Sequence, residues 1–97
     1  MTSGEVPISK LKKFPCPCCR YLTLEQEPPG TFAICDICFW EDDYVQFHHP
    51  DSDVGANKVS LNQARQNFEE FGACTEKMLE YTRDPAEDEE RVGNSEA

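Results

Sequence analysis

The chain has 97 residues, six of them cysteine, 38% of them hydrophobic, and a formal charge of −10. That length admits one domain, of a size at which apolar burial alone is marginal, so a metal or cross-link is expected to help hold it together. The acidic balance excludes the basic stripe that nucleic-acid binding needs, and no stretch approaches the length of a membrane span.

Residues 1–9 read as a flexible lead-in. With no apolar run between Met1 and Leu11 of the signal-peptide kind, the expected setting is the cytoplasm, where thiols stay reduced. Lys10, Lys12 and Lys13 follow, and serve either as solvated surface or as local compensation for negative charge on the cysteines beside them.

Cys16 and Cys19, then Cys35 and Cys38, form two C-x2-C pairs separated by fifteen residues. Such pairs put four thiols at the tips of two tight turns, which can converge on one tetrahedral site. Thiolates suit zinc or iron better than magnesium or calcium. One zinc ion is the expected cofactor, with iron as the alternative, and folding is expected to depend on it, since structural zinc contributes about 10–16 kcal/mol in small domains. Pro17 stiffens the first turn. Arg20 and Phe39 stand just after each pair, where Gly is usual, so a left-handed backbone there would cost about 1 kcal/mol.

Residues 21–24 and 31–34 are short β-prone runs joined through Pro28-Pro29-Gly30, and they read as a hairpin leading from one cysteine turn to the other. That is the connectivity of a zinc-ribbon or rubredoxin-like fold. Phe39 and Trp40 are expected to pack behind the second turn and exclude water. Glu41, Asp42 and Asp43 read as a solvated acidic edge on an extended segment. His48 and His49 fall in a polar loop; either could approach a metal, but four cysteines already complete a tetrahedral shell.

Ser60 followed by Gln63 matches a capping box. Leu61, Ala64, Phe68 and Phe71 then recur at helical spacing, and Gly72 supplies the stop. Asn57 and the amides before Leu61 could hold an anion, although packing explains the same residues. A second short helix is expected over 74–83 with Cys74, Met78 and Tyr81 on one face, ended by Asp84-Pro85. Residues 84–97 hold six acidic side chains against Arg91 and read as a disordered acidic tail. The expected fold is thus a small α+β metal-bound domain over residues 10–83: a zinc-ribbon or rubredoxin-like β-hairpin with two cysteine knuckles, packed against one or two C-terminal helices.

The run Cys16-Pro-Cys-Cys-Arg-Tyr-Leu-Thr-Leu, then Pro29-Gly30-Thr31, Cys35-x-x-Cys38-Phe-Trp-Glu-Asp-Asp43, Gly55-Ala-Asn, Val59-Ser-Leu-Asn-Gln-Ala-Arg65 and Phe71-Gly-Ala73 resembles the small bacterial cysteine-rich CPCC proteins. The resemblance covers most of 14–83; Arg20 departs from it, where the family commonly has Gly. It implies a zinc-binding domain of bacterial origin and carries no activity with it.

The preferred functional reading is a non-enzymatic module in which zinc is structural and an acidic surface binds a basic protein, for example as an immunity or accessory protein neutralising a basic toxin. Residues 21–57 hold eight acidic and no basic side chains, which favours such a partner. The second reading is rubredoxin-like iron electron transfer, or thiol redox chemistry in which Cys18 exchanges with a neighbouring ligand. A zinc hydrolase, with His48 or Glu41 as base, ranks third, because four thiolates leave the metal no open position and make it a poor Lewis acid.

Overall fold

A computed structural model describes residues 13–93. Strands β1 (Phe14–Pro15) and β2 (Leu22–Leu24) pair antiparallel, with Phe14 opposite Leu24 and Pro15 opposite Leu22. The ladder stays short because Pro15 has no N–H to donate. The first cysteine turn lies between these strands, and the second is flanked by an antiparallel bridge between Ile34 and Glu41. This corrects the expected pairing of 21–24 with 31–34. A Cys-x-x-Cys turn reverses the chain by itself, so its own flanks meet at little closure cost, and the Pro-Pro-Gly stretch only carries the chain from one turn to the next.

Helix α1 (Tyr44–His48) was not expected. Its N-cap is Asp43, whose side chain accepts from the Gln46 N–H at 2.9 Å. The Asp-x-x-Gln spacing is a capping signature in plain sight. Asp42 and Asp43 are also buried, 1% and 8% exposed, so the acidic edge is corrected too. Asp42 accepts from the Thr31 N–H at 2.9 Å and its hydroxyl at 2.7 Å, tying the chain before the second cysteine turn to the chain after it.

Gln46 is fully buried and holds the following loop. Its Nε2 donates to the carbonyls of Ser52 and Val59 at 3.2 and 2.9 Å, and its Oε1 accepts from the Asn57 N–H and Nδ2 at 3.2 and 2.9 Å. Asn57, a candidate anion ligand in the sequence, instead pairs with the Glu41 backbone: Oδ1 accepts from its N–H and Nδ2 donates to its carbonyl.

Helix α2 (Leu61–Phe71) forms as the sequence indicates. The Ser60 hydroxyl accepts from the Gln63 N–H at 3.1 Å, and Gly72 closes the helix at φ 95°. Leu61 and Ala64 are buried against the cysteine turns, and Phe68 meets Tyr21 edge-on at 6.4 Å. The Gln63 side chain donates to Asn67 instead of completing a capping box.

The expected helix over 74–83 is a 3-10 helix of six residues, Glu76–Tyr81, and Cys74 lies outside it. The Cys74 N–H is committed to the Cys38 carbonyl at 2.8 Å and its carbonyl to Asn67 Nδ2 at 2.8 Å, so winding starts only after an extended Thr75. Met78 packs on the core, while Tyr81 stacks on Phe39 at 5.2 Å.

The stretch from residue 84, expected to be disordered, folds back in its described part. Leu22 N donates to the Glu90 carbonyl at 2.9 Å, Val92 N to the Arg20 carbonyl at 2.8 Å, and Arg91 bridges Tyr21. The unpaired edge of β2 offers donors and acceptors that outweigh the polar composition of this segment. The expectations for residues 1–9, Lys10, Lys12 and 94–97 lie outside the described residues. Among the described residues, no helix is long and apolar enough to cross a membrane.

Replacing Gln46 by Leu leaves several loop carbonyls unpaired against a dry core. Urea unfolding of Gln46→Leu should show a loss of about 2–4 kcal/mol at unchanged slope; a loss under about 1 kcal/mol would mean that water replaces the amide.

Candidate metal centre

The two cysteine turns repeat one hydrogen-bond pattern. In the first, Cys16 N donates to the Tyr21 carbonyl at 2.9 Å, Arg20 N to the Cys16 carbonyl at 2.8 Å, and Cys18 N to the Cys16 sulfur at 3.4 Å. In the second, Cys35 N donates to the Trp40 carbonyl at 3.0 Å, Phe39 N to the Cys35 carbonyl at 2.8 Å, and Ile37 N to the Cys35 sulfur at 3.4 Å. Arg20 and Phe39, which stand where Gly is usual after each pair, both sit at φ 68° in the left-handed conformation. The strain, about 1 kcal/mol each, falls on side chains that find other contacts: Arg20 lies 3.8 Å from Glu69, and Phe39 stacks on Tyr81.

The pattern aims the four sulfurs at one point. Cys16 Sγ lies 3.6 Å from Cys38 Sγ, and Cys19 Sγ lies 3.6 Å from Cys35 Sγ, so each contact joins one turn to the other. All four sulfurs lie within 4.8 Å of one another, and all four residues have no exposed surface. A regular tetrahedron with metal–sulfur bonds of about 2.3 Å has its sulfurs about 3.8 Å apart, so the four cysteines are positioned to hold a metal ion. None is in a disulfide.

Burial pushes the Cys16 and Cys38 thiols well above their ordinary range. Cys35 is held far below it by hydrogen bonds from the Cys16, Cys19 and Cys38 thiols and by the Thr23 hydroxyl, which donates to its sulfur at 3.1 Å. Metal binding requires these sulfurs as thiolates, so an ion entering the cluster would displace the protons that burial favours. Cys74 is pushed up to about 12, by burial and then by Cys18, which makes it a packing thiol. Cys18 is buried and stands outside the group of four.

His48 and His49 are exposed. The His48 ring packs on Tyr44 at 4.4 Å, and neither histidine joins the cluster. Lys13, the one described lysine of the basic triplet, pairs with Glu25 at 3.3 Å. The cations at the first turn are arginines that the sequence reading passed over. Arg65 Nε donates to the Pro17 carbonyl and Arg91 Nε to the Cys19 carbonyl, both at 2.9 Å. Arg65 projects from α2, and Arg91 lay in the stretch read as disordered, so neither had a local signal.

A family model described as cysteine-rich CPCC matches residues 14–89. A search of curated proteins found no match.

Gly is normally the poorer replacement for a side chain, but at φ 68° the order reverses. Arg20→Gly should be more stable than Arg20→Ala by about 1 kcal/mol in chemical denaturation, since both lose the guanidinium and only Gly relieves the backbone. Equal stabilities would remove the strain argument.

Proposed function

The chain belongs to the cysteine-rich CPCC family, and we propose that it is a non-enzymatic module in which Cys16, Cys19, Cys35 and Cys38 hold one structural zinc ion. The observation that carries this reading is the set of four fully buried sulfurs within 4.8 Å of one another. Four thiolates close the coordination shell, so the ion has no position for water or substrate and serves to cross-link the two turns. Zinc suits such a role because it has no redox chemistry.

Protein purified untagged from cells in ordinary medium should carry one zinc per chain by elemental analysis and show no visible colour. Chelation should abolish its native circular dichroism, and metal affinity should fall as pH falls, because protons return to thiols that burial favours in the neutral form. One iron per chain with strong visible absorption would instead favour the rubredoxin-like reading. The amide and hydroxyl hydrogen bonds to the Cys16 and Cys35 sulfurs support that second reading, since such bonds tune the potential of iron–thiolate centres.

In the same proposal the acidic surface binds a basic protein, as an immunity or accessory module would. Residues 21–57 hold eight acidic and no basic side chains, and all of the acidic ones but the buried Asp42 and Asp43 reach the surface. The same stretch exposes Phe32, Ile34, Tyr44 and Val45, and Phe32, 64% exposed, sits at φ 61°. A bulky exposed ring on a strained backbone gives an apolar anchor amid acidic residues, a pattern of binding surfaces and not of folding. Affinity capture from the native host should recover a basic protein that is released by about 0.5 M salt and lost with Phe32→Ser, metal content being unchanged. Recovery of nothing basic would remove the partner and leave the metal reading intact.

A further inference from the structure

Equivalent carbonyls in the two cysteine turns are met by different chemistry. In the second turn, the Asp36 carbonyl accepts from the Arg83 amide at 3.2 Å, and the Cys38 carbonyl from the Cys74 amide at 2.8 Å. In the first, the matching carbonyls of Pro17 and Cys19 accept from the guanidinium Nε atoms of Arg65 and Arg91, each at 2.9 Å. Charge-assisted bonds of this kind are about twice as strong as neutral ones, and they bring positive charge to the backbone of a cysteine turn.

Arg91 is the more tightly placed of the two. Its guanidinium lies 5.5 Å from the Tyr21 ring centre and 5.3 Å from that of Phe68, and it is hydrogen-bonded to Glu69. Backbone bonds on both sides, from Leu22 to Glu90 and from Val92 to Arg20, hold the segment that carries it along β2. Glu69 also lies 3.8 Å from Arg20, so this carboxylate steadies the guanidinium while sharing its own charge between two arginines. This C-terminal strap, residues 84–93, thus fixes a cation on the carbonyl of Cys19.

We propose that Arg91, assisted by Arg65, is a positioning residue of the metal centre: it locks the first cysteine turn and offsets the negative charge of the four thiolates, so that metal retention depends on the C-terminal strap. The inference rests on the reading that these cysteines hold an ion. A divalent ion with four thiolates carries a net charge of −2, and a fixed cation at the backbone of one ligand lowers the energy of that ligand's charged form. Among the described residues no side chain donates to the matching carbonyls of the second turn, where the Arg83 guanidinium instead lies 3.9 Å from the Asp36 carboxylate, so the two halves of the site are held unequally.

The test uses the full chain loaded with Zn(II), and separately with Co(II), in wild type, Arg91→Ala, Arg91→Lys and, as a strap control that changes no charge and spares the Cys19 carbonyl, Val92→Ala. Zinc is titrated against a chelating dye, and the sulfur-to-cobalt charge-transfer band is recorded on fully loaded protein. Arg91→Ala should bind zinc about 10–100-fold more weakly and move the band to lower energy, because the thiolates lose a nearby positive charge. Arg91→Lys should restore much of the band position and only part of the affinity, and Val92→Ala should match wild type in both. If Arg91→Ala does not fold, the Lys variant still decides, since wild-type affinity in it would deny the guanidinium geometry. An unmoved band in loaded Arg91→Ala, with altered thermal stability alone, would overturn the proposal by reducing Arg91 to a packing role. Wild type that binds neither ion would instead overturn the metal reading on which the proposal rests.

Discussion

Four sulfurs with no exposed surface, drawn within 4.8 Å of one another, set the terms for everything around them, because such a group is costly unless something compensates for its crowding and charge. Several elements have a bond or a contact that serves this point. The turns supply it through a repeated backbone pattern, α2 packs Leu61 and Ala64 behind it, Cys74 caps the second turn, and the strap caps the first. The large buried side chains beyond the cysteines are few, chiefly Trp40, Ile37, Leu61 and Gln46, so the cluster takes the place that a larger apolar core has in a longer chain.

The second organising device is polar. Asp43, Gln46 and Asn57 form a connected latch that fastens the loop over residues 52–59 to the chain leaving the second cysteine turn, and Asp42 ties that chain back to Thr31. Each of these side chains satisfies backbone groups that no strand or helix would have paired, which is how a domain with so little regular structure keeps its irregular backbone dry. Gly55 shows how closely the parts fit: a Cβ there would meet Asp43 Oδ2 at 2.7 Å and Gln46 Cδ at 2.8 Å.

The two turns share one backbone pattern and part at a single feature. Both place a non-glycine residue at φ 68°, and both keep the amide-to-sulfur bond of the first cysteine. They differ in what caps their carbonyls, side chains in one and backbone in the other. A side-chain cap can be altered by one substitution without moving the main chain, whereas a backbone cap cannot, which makes the first turn the adjustable half of the site.

By itself, the sequence determined what spacing and local chemistry encode: the two cysteine pairs, and α2 with its Ser60 start and Gly72 stop. It marked Arg20 and Phe39 as places where a left-handed backbone would cost, and the structure put both there. Asp43 and Gln46 carried the same capping signature for α1, and it was legible although unread. Only the tertiary structure decided the strand partners, because pairing is a choice among alternatives that each look β-prone alone. It alone buried Asp42, which composition places in water but Thr31 holds inside. Likewise it alone gave the C-terminal strap an ordered course, since the gain comes from an open edge of β2 and from aromatic rings far away in the chain, and no local window contains both Arg91 and Cys19.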